Sequence, residues 1–327
     1  MKNSTNWIKI EKNIFEKADF KDINFIIQIL QWSPTISVKR YNFFINSGLD
    51  DLEKNANFQK LSTIDKEYIR TQTFDAFVTG KNIHYKYTIS NKSSRKACEF
   101  NIQEAIRYFL SPVCLIIENS LNDSYFLNSI FLHFEKKING ANKIIEFLDN
   151  DFIQYVNAGG WTNIKNYING RLKSIEKFSN RHYRKPQEFL RCFVLMDSDK
   201  LSLNDEKPEK EKLKKELEYL GIQVHILNKR AMENYMPKNV LNNLPKINRK
   251  YLVHSNWIKA YKNYTNEKID FLNYKEEISQ FSNFKDEFPK FFENQRFVFK
   301  DSLLEREGGN NDNNEFLEII GKINHLL

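Results

Sequence analysis

The sequence predicts an α/β protein with a mainly parallel four-stranded sheet flanked by helices, and with helical regions before and after it. Three observations support this prediction. Short apolar runs alternate with segments of helical length between residues 109 and 240, as in βαβ units. Glycine and proline number only 10 and 7 in 327 residues, which disfavours a turn-rich all-β fold. The 27 phenylalanines supply apolar surface for a large core.

The charge balance indicates an anionic partner. The chain has 50 basic and 42 acidic residues, a net charge of +8 and a pI near 9.1. This surplus favours nucleic acid first and a membrane surface second. The alternative is a solvated, lysine-rich surface without a specific partner. Hydrophobic residues at 41% and charged residues at 28% exclude a globally disordered chain.

Cysteine usage and hydropathy indicate the compartment. Cys98, Cys114 and Cys192 form no CxxC pair, so neither a zinc site nor a disulfide framework is indicated. The N-terminus has no apolar segment of signal-peptide length, and no run reaches the length of a membrane span. We therefore expect a cytoplasmic protein without a membrane partner.

The first predicted domain, residues 1–108, is mostly helical. A helix is predicted over Asp22–Trp32 and ends at a serine-proline pair, because proline disfavours helix in the residue before it. A second helix, Ser62–Phe77, begins with a capping pattern. Residues 82–89 alternate in polarity and form a candidate strand.

The second predicted domain, residues 109–240, contains the α/β pattern. Its candidate strands are residues 112–117, 152–157, 189–196 and 222–227. Its candidate helices are residues 123–137, 161–178 and 209–220. Gly159-Gly160 predicts a tight turn, and Gly221 is predicted to end the third helix. Residues 241–327 form the third predicted domain, a helical and basic extension.

Acidic residues follow two of the candidate strands directly. Glu118 follows the first strand, and Asp197 and Asp199 follow the third. Ligands of open α/β sheets bind at the carboxyl ends of the strands, and both side chains of an extended Asp-x-Asp point the same way. Convergent carboxylates need a cation, and oxygen ligands favour Mg²⁺ or Mn²⁺, which can activate water. The alternative is that each acid only begins a solvated loop.

Four segments in this order resemble a TOPRIM domain. They are residues 113–126, 159–160, 194–199 and 225–237. They are most similar to overcoming-lysogenization-defect (OLD) nucleases and their ATPase-free relatives in phage defence. That family has a Glu after its first strand, an Asp-x-Asp after its third and, in the defence branch, a Glu-Asn-Tyr after its fourth. The resemblance implies a TOPRIM, Rossmann-like fold and a metal-dependent nuclease.

The resemblance also implies roles for single residues. It makes Glu118, Asp197, Asp199 and Glu233 metal ligands of a catalytic site. The family usually has an acid four residues after the first Glu, where this chain has Asn122. The acid here is Asp123, which we carry over as a metal ligand displaced by one residue.

Two of these assignments have plain alternatives. Glu233 could instead be a general base that positions water, or an acid that stabilises a helix N-terminus from its first turn. The segment 270–275 resembles a downstream family segment with a basic residue, which makes Lys275 a candidate for stabilising developing charge. The alternative for Lys275 is an ordinary exposed lysine.

The chain lacks a GxxxxGK(S/T) phosphate-binding loop, so no ATPase of that type is encoded here. OLD nucleases carry such an ATPase in the same chain. The resemblance therefore implies a separately encoded ATPase or sensor as a partner, and a homo-oligomer is also considered.

Two basic segments interleaved with aromatic residues, 165–191 and 238–262, are candidates for binding nucleic acid. Basic side chains neutralise phosphates, and aromatic side chains stack on bases. The candidate contacts are Lys165, Arg171, Lys173, Arg181, Arg184, Lys250 and Lys259. The alternative is a solvated basic face over an aromatic core.

The sequence and the resemblance together predict a metal-dependent endonuclease, acting in anti-phage defence. One alternative is a TOPRIM ribonuclease acting on tRNA or structured RNA, which would use the same acids. Another is a non-catalytic subunit that binds nucleic acid or scaffolds a partner.

Overall fold

A computed structural model describes residues 6–31, 40–79, 84–92, 94–236, 255–277, 287–293 and 312–327. Within these residues the chain is an α/β protein with two four-stranded, all-parallel sheets and flanking helices. It divides into two compact units. The first comprises Met1–Pro112 with Arg171–Leu190, and the second comprises Val113–Gly170 with Arg191–Leu327.

The first unit contains a parallel sheet in the order β2-β1-β3-β4. Its strands are β1 (Asn6–Glu11), β2 (Asn42–Asn46), β3 (His84–Ser90) and β4 (Glu99–Asn101). Its helices are α1 (Asn13–Lys17), α2 (Phe20–Gln31), α3 (Leu49–Glu53), α4 (Ala56–Gln59), α5 (Thr63–Thr79) and α6 (Ile102–Leu110), with a 3₁₀ helix at Pro186–Phe189.

Most of the described residues before residue 109 are helical, as predicted, and the sheet is an addition to that prediction. The candidate strand over residues 82–89 is confirmed as β3, and the two predicted helices are confirmed as α2 and α5. The sequence pattern does not indicate β1, β2 and β4, which have only 6, 5 and 3 residues. An apolar run that short does not distinguish a strand from a helical turn, and long-range pairing decides its conformation.

The second unit contains the sheet that the sequence predicts, in the order β6-β5-β7-β8. Its strands are β5 (Val113–Ile117), β6 (Ile153–Asn157), β7 (Cys192–Met196) and β8 (Gln223–Ile226). Its first helices are α7 (Ser120–Phe134), α8 (Asn139–Asp149), the start of α9 (Trp161–Arg181), and α10 (Pro208–Tyr219). Further helices are α11 (Ser255–Lys262), α12 (Asn266–Asp270), α13 (Tyr274–Glu277) and α14 (Asp312–Asn324), with 3₁₀ helices at Met232–Tyr235 and Pro289–Glu293.

The strand order creates a switch point between β5 and β7. Both strands are buried along their whole length, as expected for central strands with both faces covered. From β5 the chain moves outward to β6, and it then returns to the other side of β5 as β7. Ligands of open α/β sheets bind outside the carboxyl ends of the strands at such a point. The fold is compatible with a Rossmann-like arrangement.

The described helices agree with several local predictions. Gly221 has φ +80° and follows α10, as predicted for a glycine that ends a helix. The described parts of residues 241–327 are helical. No helix in the described ranges combines the length and the apolar character needed to cross a bilayer.

Candidate acidic active site

Glu118 directly follows β5 and is held by backbone donors. Its side chain accepts hydrogen bonds from the N–H groups of Asp197, at 3.1 Å, and Trp161. Its carbonyl accepts the N–H of Gly159 at 3.1 Å. Gly159 and Gly160 have φ +72° and +115°, which glycine adopts without strain. The predicted glycine turn therefore brings the N-terminus of α9 against the Glu118 carboxylate.

Asp197 lies across the switch point, directly after β7. Its Oδ1 accepts the N–H of Met232 at 3.3 Å, at the start of the 3₁₀ helix that also carries Glu233. Desolvation raises the pKa of Asp197 well above its usual value, and so do three neighbouring carboxylates. These belong to Glu233, Glu118 and Asp123. The acids predicted from separate parts of the sequence thus form one electrostatic group.

Asp199 does not continue the strand. Strand β7 ends at Met196, and Asp199 has φ +55°, in the left-handed region. Ser198 between the two acids is buried and donates to the carbonyl of Lys229 at 2.6 Å. The expectation of an extended Asp-x-Asp is therefore wrong. The physical reason is that the backbone turns after the strand, so the period of two does not apply.

Lys210 is a residue of this site that sequence reasoning missed. Its Nζ donates to the carbonyl of Asp197 at 2.7 Å, contacts the carboxylate of Asp199 and lies 3.9 Å from Oε1 of Glu118. Its side chain is only 2% exposed. The residue stands in a run of charges that is typical of a solvated helix. Its spacing from the buried Leu213 and Leu217 is the one signal that indicated an inward position.

Asp123 belongs to the same acidic group, although the family pattern is displaced there. It lies in the first turn of α7, and its Oδ2 accepts the N–H of Asn119 at 2.9 Å. Burial raises the pKa of Asp123 to about 7, and the carboxylates of Glu233 and Glu118 act in the same direction. Asp123 therefore changes its charge near neutral pH.

Asn234 anchors the segment that leads to Lys275. Its side-chain amide donates to the carbonyls of Ile269, at 2.6 Å, and Leu272, at 3.1 Å. Desolvation lowers the pKa of Lys275, but four carboxylates outweigh it and raise the pKa overall. These belong to Asp197, Glu233, Asp199 and Glu118. The predicted basic residue thus lies in the field of the predicted acids.

A buried polar network supports the fourth strand and the 3₁₀ helix from behind. The Tyr235 hydroxyl donates to Oε2 of Glu315 at 2.6 Å, and Nε2 of His225 lies 2.8 Å from Oε1 of the same carboxylate. The Lys229 ammonium contacts Asp312 at 2.6 Å. Because Glu315 and Asp312 belong to α14, this helix fixes the element that carries Glu233. His225 packs in this network.

The acidic group has the donor chemistry for a hard divalent cation. Its five carboxylates offer oxygen ligands, which Mg²⁺ and Mn²⁺ prefer. Burial, and after it the crowding of negative charge, raises the pKa values of Glu118, Asp123 and Asp197, and a cation would relieve the crowding. Among the residues that the structure describes, however, no three acidic, His or Cys side chains are arranged to hold a metal ion as they stand.

A small cavity lies beside the acids. Its volume is about 30 Å³, and Asp199, Glu233 and Lys275 are among the residues that line it. This is room for a water molecule.

The chain matches no protein-family model, no curated protein and no solved structure. The interpretation therefore depends on the geometry of the site and on the sequence motifs.

Most of the predicted nucleic-acid contacts in the described residues have accessible side chains. Lys165, Lys173, Arg181 and Lys259 are exposed, and Arg171 is half-buried. Two of them have acidic neighbours: Lys165 pairs with Glu216 and Lys173 with Glu176, each at 2.7 Å. Lys250 lies outside the described residues.

Arg184 is the exception and corrects a prediction. It is 6% exposed, and its guanidinium donates to the carbonyls of Ser94 and Glu99 and pairs with Glu188. The guanidinium also lies over the ring of Phe100, 5.5 Å from its centroid. These contacts occupy Arg184 inside the first unit, so it is a structural residue and not a contact for phosphate.

Proposed function

We propose that this chain is a metal-dependent TOPRIM-type nuclease that hydrolyses phosphodiester bonds in nucleic acid. The observation that carries the proposal is that Glu118 and Asp197 follow the two strands that flank the switch point. Asp123 and Glu233 add their charge to the same group. A parallel four-stranded sheet with acids at this position supports a site for a cation and a phosphate.

In this proposal Glu118, Asp197 and Glu233 hold the divalent cation, with Asp123 and Asp199 completing the acidic group. When bound, the ion would offset phosphate charge and lower the pKa of a water molecule. The backbone donors at Glu118 and Asp197 orient these carboxylates before any ion arrives. Such preorganisation favours binding of the ion in one geometry.

Two side chains of the chain supply further chemistry. Without a cation the pKa of Asp123 is about 7, so a bound ion would displace a proton from Asp123 near neutral pH and would then be held by its carboxylate. The Lys275 ammonium complements the negative charge that develops on the phosphate oxygens. Exposed Lys165, Lys173, Arg181 and Lys259 are the proposed contacts for the nucleic-acid backbone.

A non-catalytic subunit that binds nucleic acid is the second candidate. The observation that favours it is the pairing of Asp199 with Lys210, which already neutralises one of the expected metal ligands. A role in phage defence with a separately encoded ATPase or sensor remains part of the main proposal.

The test compares cleavage by the wild type with cleavage by Asp197→Asn. Plasmid DNA, single-stranded DNA and total tRNA are incubated with Mg²⁺, with Mn²⁺ or with EDTA. We expect metal-dependent cleavage, with a loss in Asp197→Asn beyond the roughly 10–100-fold typical of a group that only supports a ligand. Glu209→Gln, an exposed acid near the same loop, is the matched control and should retain activity.

The substrate cleaved separates the main proposal from its ribonuclease alternative. Cleavage of tRNA alone would establish a ribonuclease, whereas cleavage of DNA would establish a deoxyribonuclease. No cleavage by the wild type, together with equal nucleic-acid binding by the wild type and Asp197→Asn, would support the non-catalytic subunit.

A further inference from the structure

Lys210 places a positive charge between two acids that come from different strands. Its Nζ contacts the Asp199 carboxylate after β7 and lies 3.9 Å from Oε1 of Glu118 after β5. The same ammonium donates to the carbonyl of Asp197 at 2.7 Å. The contacts with Asp199 and Asp197 are within hydrogen-bonding range, so the ammonium is anchored on the segment that carries both aspartates.

The position of Lys210 is built into the fold. Its helix begins at Pro208, and Leu213 and Leu217 on the same helix are buried with it. The ring of Trp161 lies 5.5 Å from Nζ. Burying an ammonium group costs several kcal/mol unless it is paired, so the chain keeps it here through these contacts. An exposed lysine on a solvated helix face would have none of them.

The other acids of the group act on Asp197. The carboxylates of Glu233 and Asp123 act on Asp197 together with that of Glu118, and Lys275 is the cation whose charge opposes them. Lys210 therefore neutralises negative charge at Asp199, which it contacts, whereas Asp197 is under the repulsion of three carboxylates.

We propose that Lys210 is a tethered cation that takes the place of a second metal ion, so that the site binds a single divalent ion on the Asp197 side. This inference rests on the proposed function. In two-metal phosphotransfer sites the ions lie about 3.5–4 Å apart and neutralise both reacting oxygens. A second ion bound between Glu118 and Asp199 would lie close to the Lys210 ammonium, which contacts Asp199 and is 3.9 Å from Oε1 of Glu118. The two positive charges would repel each other.

The test counts bound Mn²⁺ per chain by electron paramagnetic resonance of the free ion and by titration calorimetry, without substrate. We expect one ion in the wild type and two in Lys210→Met, which removes the charge and keeps an unbranched side chain one atom shorter. Lys210→Arg retains the charge and should bind one. Lys212→Met, an exposed lysine of the same helix, is the matched control and should also bind one.

The outcomes separate this inference from the proposed function. Two ions in the wild type, or one ion in Lys210→Met at unchanged affinity, would overturn the role of Lys210 and leave the nuclease proposal standing. No bound ion in any folded variant would overturn both. If Lys210→Met does not fold, as judged by circular dichroism, Lys210→Gln replaces it, and the count in the wild type alone can still contradict the inference.

Discussion

Asp123 is the residue whose charge responds to pH in the range that solution experiments reach. Its pKa is about 7 in the folded chain and 3.8 for an unperturbed side chain. The folded state therefore binds more protons between these values, and the contribution of Asp123 to the free energy of unfolding falls as pH rises through this window. A bound cation would lower the folded-state pKa and reverse this loss.

We expect Asp123→Asn to remove this pH dependence in EDTA. The variant should gain stability over the wild type as pH rises from about 5 to 8, by up to about 1.4 kcal/mol for each pH unit below the folded-state pKa. Urea unfolding at each pH measures the gain. Asp149→Asn, an exposed carboxylate of the same unit, is the control. A difference in stability between Asp123→Asn and wild type that stays constant with pH would contradict the raised pKa of Asp123.

Residue identity predicted the acids better than it predicted the cations. Glu118 and Asp197 could be found because the strands before them are continuous apolar runs, and the structure brings both acids together. Lys210 and Arg184 each lie in a charged stretch, and both are buried. Whether a long basic side chain points inward depends on the phase of its helix and on its partners in space. A run of charged residues in the sequence predicts neither the phase of the helix nor the partners in space.

At the scale of elements, the turn between β6 and α9 brings the N-terminus of α9 to Glu118, which follows β5. Gly160 has φ +115°, a conformation that side chains with a Cβ rarely adopt. We expect Gly160→Ala to cost about 1–3 kcal/mol of stability, because the substitution strains the turn. If the strained turn changes its backbone conformation, the Trp161 N–H should move away from Glu118, and Mn²⁺ binding should weaken. Urea unfolding and metal titration measure the two effects.

Gly170 offers a matched control on the same helix. It lies in the interior of α9, and nothing lies within 4 Å of the Cβ that alanine would add. Gly170→Ala should therefore raise stability by about 0.5–1 kcal/mol, because alanine favours helix over glycine. Equal effects of the two substitutions would show that the conformation of Gly160 does not support the site.

The sequence pattern predicted every strand of the second unit but not β1, β2 and β4 of the first, although helices separate β1, β2 and β3 as well. In the second unit each strand is followed by a helix of 11 or more residues or by a recognisable motif, so the alternation is visible in the sequence. In the first unit β3 and β4 are separated only by residues 91–98, and β1 and β2 contain polar residues. Their pairing depends on contacts distant in sequence, which a local pattern does not contain.

At the scale of the whole molecule, the two sheets share one strand order but differ at their carboxyl ends. Each places its first two strands side by side and its third strand on the far side of the first. In the first unit β1 ends at Glu11, whose carboxylate pairs with Lys9 at 2.7 Å and accepts from Asn46 at 2.9 Å. Strand β3 ends at Ser90. The acidic group therefore belongs to the second unit, and the strand order alone does not specify a function.

The net charge of +8 predicts nucleic-acid binding that weakens steeply with salt. Neutralised phosphates release counterions, so the logarithm of the affinity falls linearly with the logarithm of the salt concentration. Lys173 and Arg181 are exposed on α9. If each contacts one phosphate, Lys173→Gln/Arg181→Gln should reduce the slope by about 1.8 in duplex DNA.

A double substitution with the same change in net charge tests whether these contacts are local. Lys54→Gln/Lys60→Gln removes two exposed lysines outside the predicted segments and should leave the slope unchanged. Fluorescence anisotropy of labelled DNA in EDTA, between about 50 and 200 mM KCl, measures the slope without cleavage. Equal reductions in both double variants would mean that net charge, and not the face of α9, determines binding. In that case the interleaved basic residues are a solvated surface.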